Sequence, residues 1–402
     1  MIFWIMPDNG VHTQDVMESF LAPFKKENPA VPINIRVINR RTLWGRIFTL
    51  KQAVSGEEQP DLLAFPNYWT QLLAQTGMIE NLTGLDKTLR VDCCLDILKP
   101  HAYKQGGADI YSMPWWFDVS ALHYREDHLK QISANPGELL STWPGLLEAC
   151  RLLKEHFKDI EGYFPVQNSD WRGTLSNRGA LPCLFSRGAR VISEDGKASD
   201  IREAAFEHGL EDYLELALKN YMPVLRERSS KGNIVSGRSS ISITRRQGTG
   251  ILESGTTGSG VQTISVPRSG ANYVNYLSGI NLAIVKTGRD GQNALKLLKW
   301  ITRPENQLKY AAASEVFPAN ESSLESLLLS SPQRIKSYSR IIAQSATLPN
   351  RTASGALMEV LAELLDAASA AVVKHSYNKN LLKAGIKKAA VEIDNILRLY
   401  GG

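Results

Sequence analysis

The 402-residue chain carries few of the signatures by which enzymes announce themselves. It has no G-x-S-x-G, no G-x-x-x-x-G-K and no H-E-x-x-H, and the glycines of GTGILESGTTGSG do not follow the dinucleotide fingerprint. Those glycines mark a turn-rich loop, where a missing Cβ permits tight backbone conformations. Four cysteines, two adjacent (Cys93, Cys94) and two apart (Cys150, Cys183), make neither a disulfide framework nor a C-x-x-C metal pair, and are expected as free, mostly buried thiols. Seven histidines are scattered, and His123 and His128 are spaced wrongly for a shared face on helix or strand, so no metal and no cofactor is expected. No basic run exceeds two residues, and a formal net charge of +5 is too mild to support nucleic-acid or membrane-surface binding. Uncharged stretches such as 254–267 are polar and Gly-rich, far from the roughly 20 apolar residues of a membrane helix.

What is present is an ordinary globular composition, 43% hydrophobic and 22% charged, in a chain long enough for two domains or one elaborate one. The N-terminal third alternates strand and helix signals. IFWIMP is a short apolar run closed by the turn cluster Pro7-Asp8-Asn9-Gly10; Val16, Phe20, Leu21 and Phe24 then recur at helical spacing. PINIRVI alternates as a strand, 42–54 reads as a helix capped by Thr42, PDLLAF reads as a buried strand and WTQLLAQTGM as a helix stopped near Gly77. This β-α-β-α-β-α rhythm predicts a parallel sheet flanked by helices.

Further along, IYSMPWWFDVSALHYRED is an extended apolar run passing into an alternating strand, a plausible crossover between domains. Thr142 is placed to cap a helix bearing Leu146, Leu147, Cys150 and Leu153. Residues 200–228 read as helical, 229–260 as loop or short edge strands, and 273–287 as a strand pair around Ser278-Gly279. Two helices lead to a second crossover at Val316–Asn320, and the last 80 residues are helical with a break at Thr347–Asn350. No internal repeat is present.

Aromatic residues at loop positions are the more informative signal: Trp44, Phe65, Trp69, Trp115, Trp116 and Trp171. A flat indole offers a large apolar face at little rotamer loss, suited to the C–H face of a sugar ring, while Asn, Asp and Arg take hydroxyls. Trp4, Trp143 and Trp300 occupy apolar strand or helix positions and read as core.

Laid out in order, FWIMPDNG, FKKENPAVPINI, AVSGEEQPDLLAF, LLAQTGMIENLTGL, the crossover strand, LLSTWPGLLEACRLL with its P-x-T-W-x-x-L-like helix start, and the return segment YLSGINLAIVKT to EVFPAN resemble the extracellular solute-binding proteins of ABC importers, in the sugar-binding family that includes maltose-binding protein. The resemblance covers nearly the whole chain. One departure is SSISITRRQGTG, where Arg245 and Arg246 stand in place of a Gly-Trp seen in many members, which fits a charged ligand group or a different pocket wall.

The resemblance implies an α/β, two-lobed periplasmic-binding-protein fold of type II, each lobe a mainly parallel sheet flanked by helices. Residues 1–114 with 267–317 would form the first lobe and 115–266 with 318–402 the second, with crossovers near 113–117, 264–268 and 316–320. It implies a non-catalytic monomer outside the cytoplasm, its targeting segment removed ahead of Met1, that closes about a hinge on a sugar and delivers it to a membrane permease. The ligand site would draw Asp8, Asn9, Trp44, Phe65 and Trp69 from the first lobe, Trp115, Trp116 and Asp118 from the crossover, Trp171, Arg172 and Arg245 from the second lobe, and Asn281 and Asn320 from the return segment. The residues leave open a carbohydrate-active enzyme, since aromatic clefts with carboxylates also describe glycosidases, or the same fold with an anionic or cationic solute.

Overall fold

The computed structural model describes residues 1–7, 12–49, 59–168, 175–224, 234–245, 260–269, 274–330 and 337–400. Strands in chain order are β1 (Ile2–Ile5), β2 (Asn34–Val37), β3 (Leu62–Pro66), β4 (Met113–Arg125), β5 (Val166–Gln167), β6 (Ile241–Arg245), β7 (Val261–Ile264), β8 (Asn275–Ile284), β9 (Phe317–Pro318) and β10 (Ser345–Ala346). The helices used below are α1 (Thr13–Glu27), α2 (Arg40–Ile47), α3 (Thr70–Gln75), α4 (Trp143–His156), α5 (Asn177–Ser186), α6 (Ala204–Leu218), α7 (Gly291–Ile301), α8 (Pro304–Ala313), α9 (Glu321–Ser330), α10 (Ser354–Val373) and α11 (Lys379–Tyr400).

The chain divides into two compact units. Unit 1 holds Met1–Asp118, Ser278–Ser330 and Thr347–Gly355; unit 2 holds Val119–Leu277, Ser331–Ala346 and Ala356–Gly402. The passages thus lie at 118/119, 277/278 and 330/331, against 114/115, 266/267 and 317/318 in the sequence reading, with a short return to unit 1 over 347–355. Hydrogen bonds account for the differences. Asn275 Oδ1 accepts from Val266 N at 3.2 Å, and β10 pairs in parallel with the start of β8, which holds 266–277 in unit 2. Asn350 donates to the carbonyls of Pro100 and Tyr103, both at 3.0 Å, and accepts from Gln71 N at 3.1 Å, which ties 347–355 to unit 1.

In unit 1, β1 runs parallel to β2 (Ile2↔Asn34 to Ile5↔Val37) and to β3 (Phe3↔Leu62, Trp4↔Leu63), the parallel set that the alternating strand and helix signals predict. β8 adds antiparallel to β3, from Leu62↔Ile284 to Pro66↔Ile280, and β9 antiparallel to β4. β8 is one strand running unbroken through Ser278-Gly279, not a pair. All five residues of β3 are buried, as expected of a strand with both faces covered. On the helix side, Phe20 and Phe24 of α1 meet Trp300 of α7 at 5.2 and 5.6 Å between ring centroids.

In unit 2, the second half of β4 is flanked by two antiparallel strands, β6 (Ser120↔Arg245 to Tyr124↔Ile241) and β7 (Leu122↔Ile264 to Arg125↔Val261), and β5 pairs in parallel with β6. α4 begins at the expected cap, where Gly145 N donates to Thr142 Oγ1 at 3.3 Å, and buries Leu146, Cys150 and Leu153 completely. The helix expected over 200–228 is α6, Ala204–Leu218, and residues 225–228 lie outside the described residues. An Arg187–Asp212 fork, at 2.8 and 2.9 Å, joins the end of α5 to α6.

Trp4, Trp143 and Trp300 are buried, as their apolar positions indicate. All four cysteines are free, with Cys94, Cys150 and Cys183 buried and Cys93 exposed. Among the described residues no helix is long and apolar enough to cross a membrane, and no His, Cys, Asp or Glu group is arranged to hold a metal ion.

Candidate functional site in the first unit

The candidate site grows from two adjacent turns. At the C-terminal end of β3, Pro66 closes the strand and Asn67–Trp69 form a single 3₁₀ turn before α3. α3 ends where Gly77 adopts φ +67°, a conformation that costs glycine little. Beyond β2, the cap of α2 lies three residues before Thr42, because Asn39 is extended and its Oδ1 accepts from Thr42 N at 2.9 Å. This start places Trp44 and Phe48 four residues apart on one face. Residues 50–58, the rest of the expected 42–54 helix, lie outside the described residues.

The two turns bring three rings together. Trp44 lies 5.0 Å from Trp69 between centroids and 5.1 Å from Phe48, edge-on at 86°. Trp69 is fully buried beneath, Trp44 is half-buried and Phe48 is 44% exposed, so the cluster is an anchored aromatic platform with an accessible upper face. Gly355, at the start of α10, backs the platform: a Cβ there would lie 2.4 Å from two carbons of the Trp44 ring and 3.1 Å from Trp69 Cδ1.

Polar groups lie around the same strand ends. Asn281 stands opposite Phe65 across the β3–β8 pair; its amide donates to Ser112 Oγ at 2.8 Å and to the His101 carbonyl at 3.0 Å. Thr70 and Ser112 hydroxyls meet at 3.0 Å, which completes a buried network between α3, β8 and the segment before β4. His101 is entirely buried, and burial drives its pKa down to about 4, so its ring is neutral near pH 7. Both amide atoms of Asn67, the Oδ1 of Asn281 and the Nε1 of Trp69, Trp115 and Trp116 are buried without a hydrogen-bond partner among the described residues. An unmet buried polar group costs about 1–3 kcal/mol, and such atoms occur in both units, Trp143 Nε1 and Ser242 Oγ among those of unit 2.

The residues singled out from the sequence fall as follows. Trp44 and Trp69 form the platform, and Phe65 and Asn281 are buried cross-strand partners. Trp115 is fully buried against Tyr310 at 4.3 Å and Phe3 at 6.4 Å. Trp116 and Asp118, two apart on β4, share the opposite face, both buried, and Trp116 pairs with Pro318 of β9. Asn320 is buried, and its Oδ1 accepts from Ser323 N at 3.0 Å at the start of α9. Asp8, Asn9, Trp171 and Arg172 lie outside the described residues; Arg245 ends β6 opposite Ser120, and its side chain and Arg246 lie outside them too. Phe48, Asn67 and Gly355 belong to the candidate site without having been singled out. The i, i+4 spacing of Trp44 and Phe48 was the signal for the first, and nothing local marks the other two.

Residues 19–338 match the family profile of the bacterial extracellular solute-binding proteins. No curated protein sequence matches the chain significantly. Among solved structures, the chain is similar to an ABC transporter solute-binding protein of Thermotoga lettingae bound with α-D-tagatose, with a TM-score of 0.81 and 16% identity over 99% of each chain. It is similar to the GacH receptor of Streptomyces glaucescens, solved unliganded and with acarbose (TM-score 0.79, 16% identity, 98% of each chain). A maltose-bound MalE3 of T. maritima gives a TM-score of 0.78 at 19% identity, over 98% of this chain and 99% of that one. At these identities the likeness establishes the fold, the two-lobed α/β architecture of periplasmic binding proteins, while the family profile spans well over half of the sequence. The chain therefore belongs to the bacterial extracellular solute-binding proteins.

Proposed function

We propose that this protein binds a carbohydrate outside the cytoplasm, without turning it over, and delivers it as a monomer to the membrane permease of an ABC importer. The observation that carries the reading is the Trp44–Phe48–Trp69 platform, anchored below and accessible above. A sugar ring laid on Trp44 buries its C–H face against the indole, and the hydroxyls at its rim need polar partners. Asn67, in the same turn as Trp69, is buried with both amide atoms uncommitted. The sugar ligands named for similar proteins, tagatose, acarbose and maltose, support the cargo class.

Isothermal titration against mono- and oligosaccharides, with chromatography of the sugar recovered afterwards, tests this. A bound sugar is expected to return intact, and Trp44→Ala is expected to weaken binding by about 1–3 kcal/mol through lost aromatic area while the protein stays folded. Degraded sugar, or affinity indifferent to Trp44→Ala, would overturn the reading.

A further inference from the structure

The face of α2 that carries the platform holds more than its two rings. At 3.6 residues per turn, Arg41, Trp44, Gly45 and Phe48 share one side of the helix, turned away from the fully buried Leu43 and Ile47. Arg41, Gly45 and Phe48 are exposed there. Neither Gly45 nor Arg41 is explained by the fold.

Gly45 lies inside the helix, outside the left-handed region of φ, and no atom among the described residues comes within 4 Å of the Cβ it lacks. Neither backbone conformation nor packing calls for glycine here, and alanine would make the helix more stable. What a missing Cβ does offer at an open position is close approach of a ligand to the backbone.

Arg41 stands in the first turn of α2, where the helix dipole disfavours a cation and where no acidic residue is present. The residues three and four further on are Trp44 and Gly45, so the helix supplies no carboxylate to pair with it. From Asn28 to Gly56 the sequence has four arginines, one lysine and no Asp or Glu, although the whole chain is nearly balanced at 46 basic to 41 acidic residues. Arg46 is spent over the Trp4 ring at 5.7 Å, and Arg36 and Arg40 have partners. Among the described residues Arg41 has none.

Resting on the carbohydrate reading, we infer that the ligand of this face is an acidic sugar, its ring on Trp44, its body over the Gly45 backbone and its carboxylate on the Arg41 guanidinium. A guanidinium carries five donors and no acceptor, in a fork that matches a carboxylate bidentately; a neutral hydroxyl leaves most of that fork unused. The seven residues from Arg41 to Phe48 span roughly 10 Å of helix axis, so a ring on Trp44 and a carboxylate on Arg41 fit one ligand.

Isothermal titration of the full chain with glucuronate, galacturonate and their short oligomers, each against its neutral glucose or galactose counterpart, tests this. The acidic sugar is expected to bind about tenfold tighter or more, and Arg41→Gln to abolish that preference. Gly45→Ala is expected to raise Tm by about 1–4 °C and yet weaken the acidic sugar about tenfold, opposite signs that a glycine without a ligand above it would not give. Neutral sugars binding as tightly as acidic ones, a preference that survives Arg41→Gln, or Gly45→Ala binding like wild type would each overturn the inference. If Trp44→Ala still weakens a neutral sugar in those cases, the carbohydrate reading stands without it; if no sugar binds, or none responds to Trp44→Ala, both fall.

Discussion

Gly355→Ala gives the sharpest test of how the aromatic platform is built. The added methyl would stand 2.4 Å from two ring carbons of Trp44, where carbon atoms at rest keep about 3.5–4.0 Å. The ring must therefore retreat by roughly 1 Å or more, or α10 must move. Overpacking of this kind costs about 1–3 kcal/mol, and because Trp44 is half-buried and can swing toward solvent, the low end applies. About 1 kcal/mol lowers Tm by roughly 2–4 °C in a unit of this size. The same change in the Trp44→Ala background has the opposite sign, since the clash is gone and alanine is about 0.5–1 kcal/mol better than glycine inside a helix. Four melting curves close the cycle: wild type, each single variant and the double. Gly355→Ala is also expected to weaken sugar binding, because the ring it displaces is the one proposed to carry the sugar. An equal loss of Tm from Gly355→Ala with and without Trp44 would refute the reasoning, since the cost would not come from the indole.

Trp115→Ala is expected to cost about 3–5 kcal/mol of stability, as for other buried large-to-small changes, while leaving sugar affinity within about twofold at temperatures where the variant is folded; thermal melts and titration separate the two. In unit 2, His123 is fully buried between Thr263 Oγ1 at 3.1 Å and the Tyr338 hydroxyl at 3.4 Å, and burial drives its pKa down to about 4. The unfolded chain binds more protons between pH 4 and about 6.5, so the stability this neutral ring confers is complete above 6.5 and lost as pH falls toward 4. The Tm of His123→Gln should decline less steeply than wild type across that window, and parallel curves would contradict the assignment. Asp212→Ala is expected to cost about 1–3 kcal/mol because it strands the partly buried Arg187 guanidinium, which keeps, among the described residues, a hydrogen bond to the Ser269 carbonyl at 2.8 Å, whereas Arg187→Met with Asp212→Leu together should cost less than Asp212→Ala alone by thermal melts.

Periodicity made the architecture of the first unit legible. β1, β2 and β3 each alternate with a helix whose apolar positions recur at 3.6-residue spacing, and strands of that kind pair in parallel. The return of 347–355 to unit 1 was not legible. It depends on side chains bonding far along the chain, Asn350 to the backbone at Gln71, Pro100 and Tyr103 and Thr352 to Gln75, and no pattern local to Thr347-Leu348-Pro349-Asn350 encodes partners some 250 residues away. The cap of α2 was ambiguous for a different reason. Asn39 and Thr42 are both residues that cap, and the choice between them turns on the extended backbone at Asn39.

The site was legible where exposure follows from sequence pattern and obscure where it does not. Trp44 lies on a short helix whose other face is polar, and Phe48 one turn on repeats it, so a reader of the sequence has grounds to expect an accessible ring. Trp115 and Trp116 offer no such grounds. β4 is buried at every position from Met113 to Tyr124, so apolar residues follow one another without alternation and neither face is marked as the one turned to a core or a ligand. Only the partners decide: Tyr310 and Phe3 cover Trp115, while Trp116 lies on the other face with an uncommitted indole N–H. Asn320 shows the converse. An asparagine immediately before Glu-Ser-Ser-Leu is a helix-capping signal in its own right, and its oxygen is spent on Ser322 and Ser323.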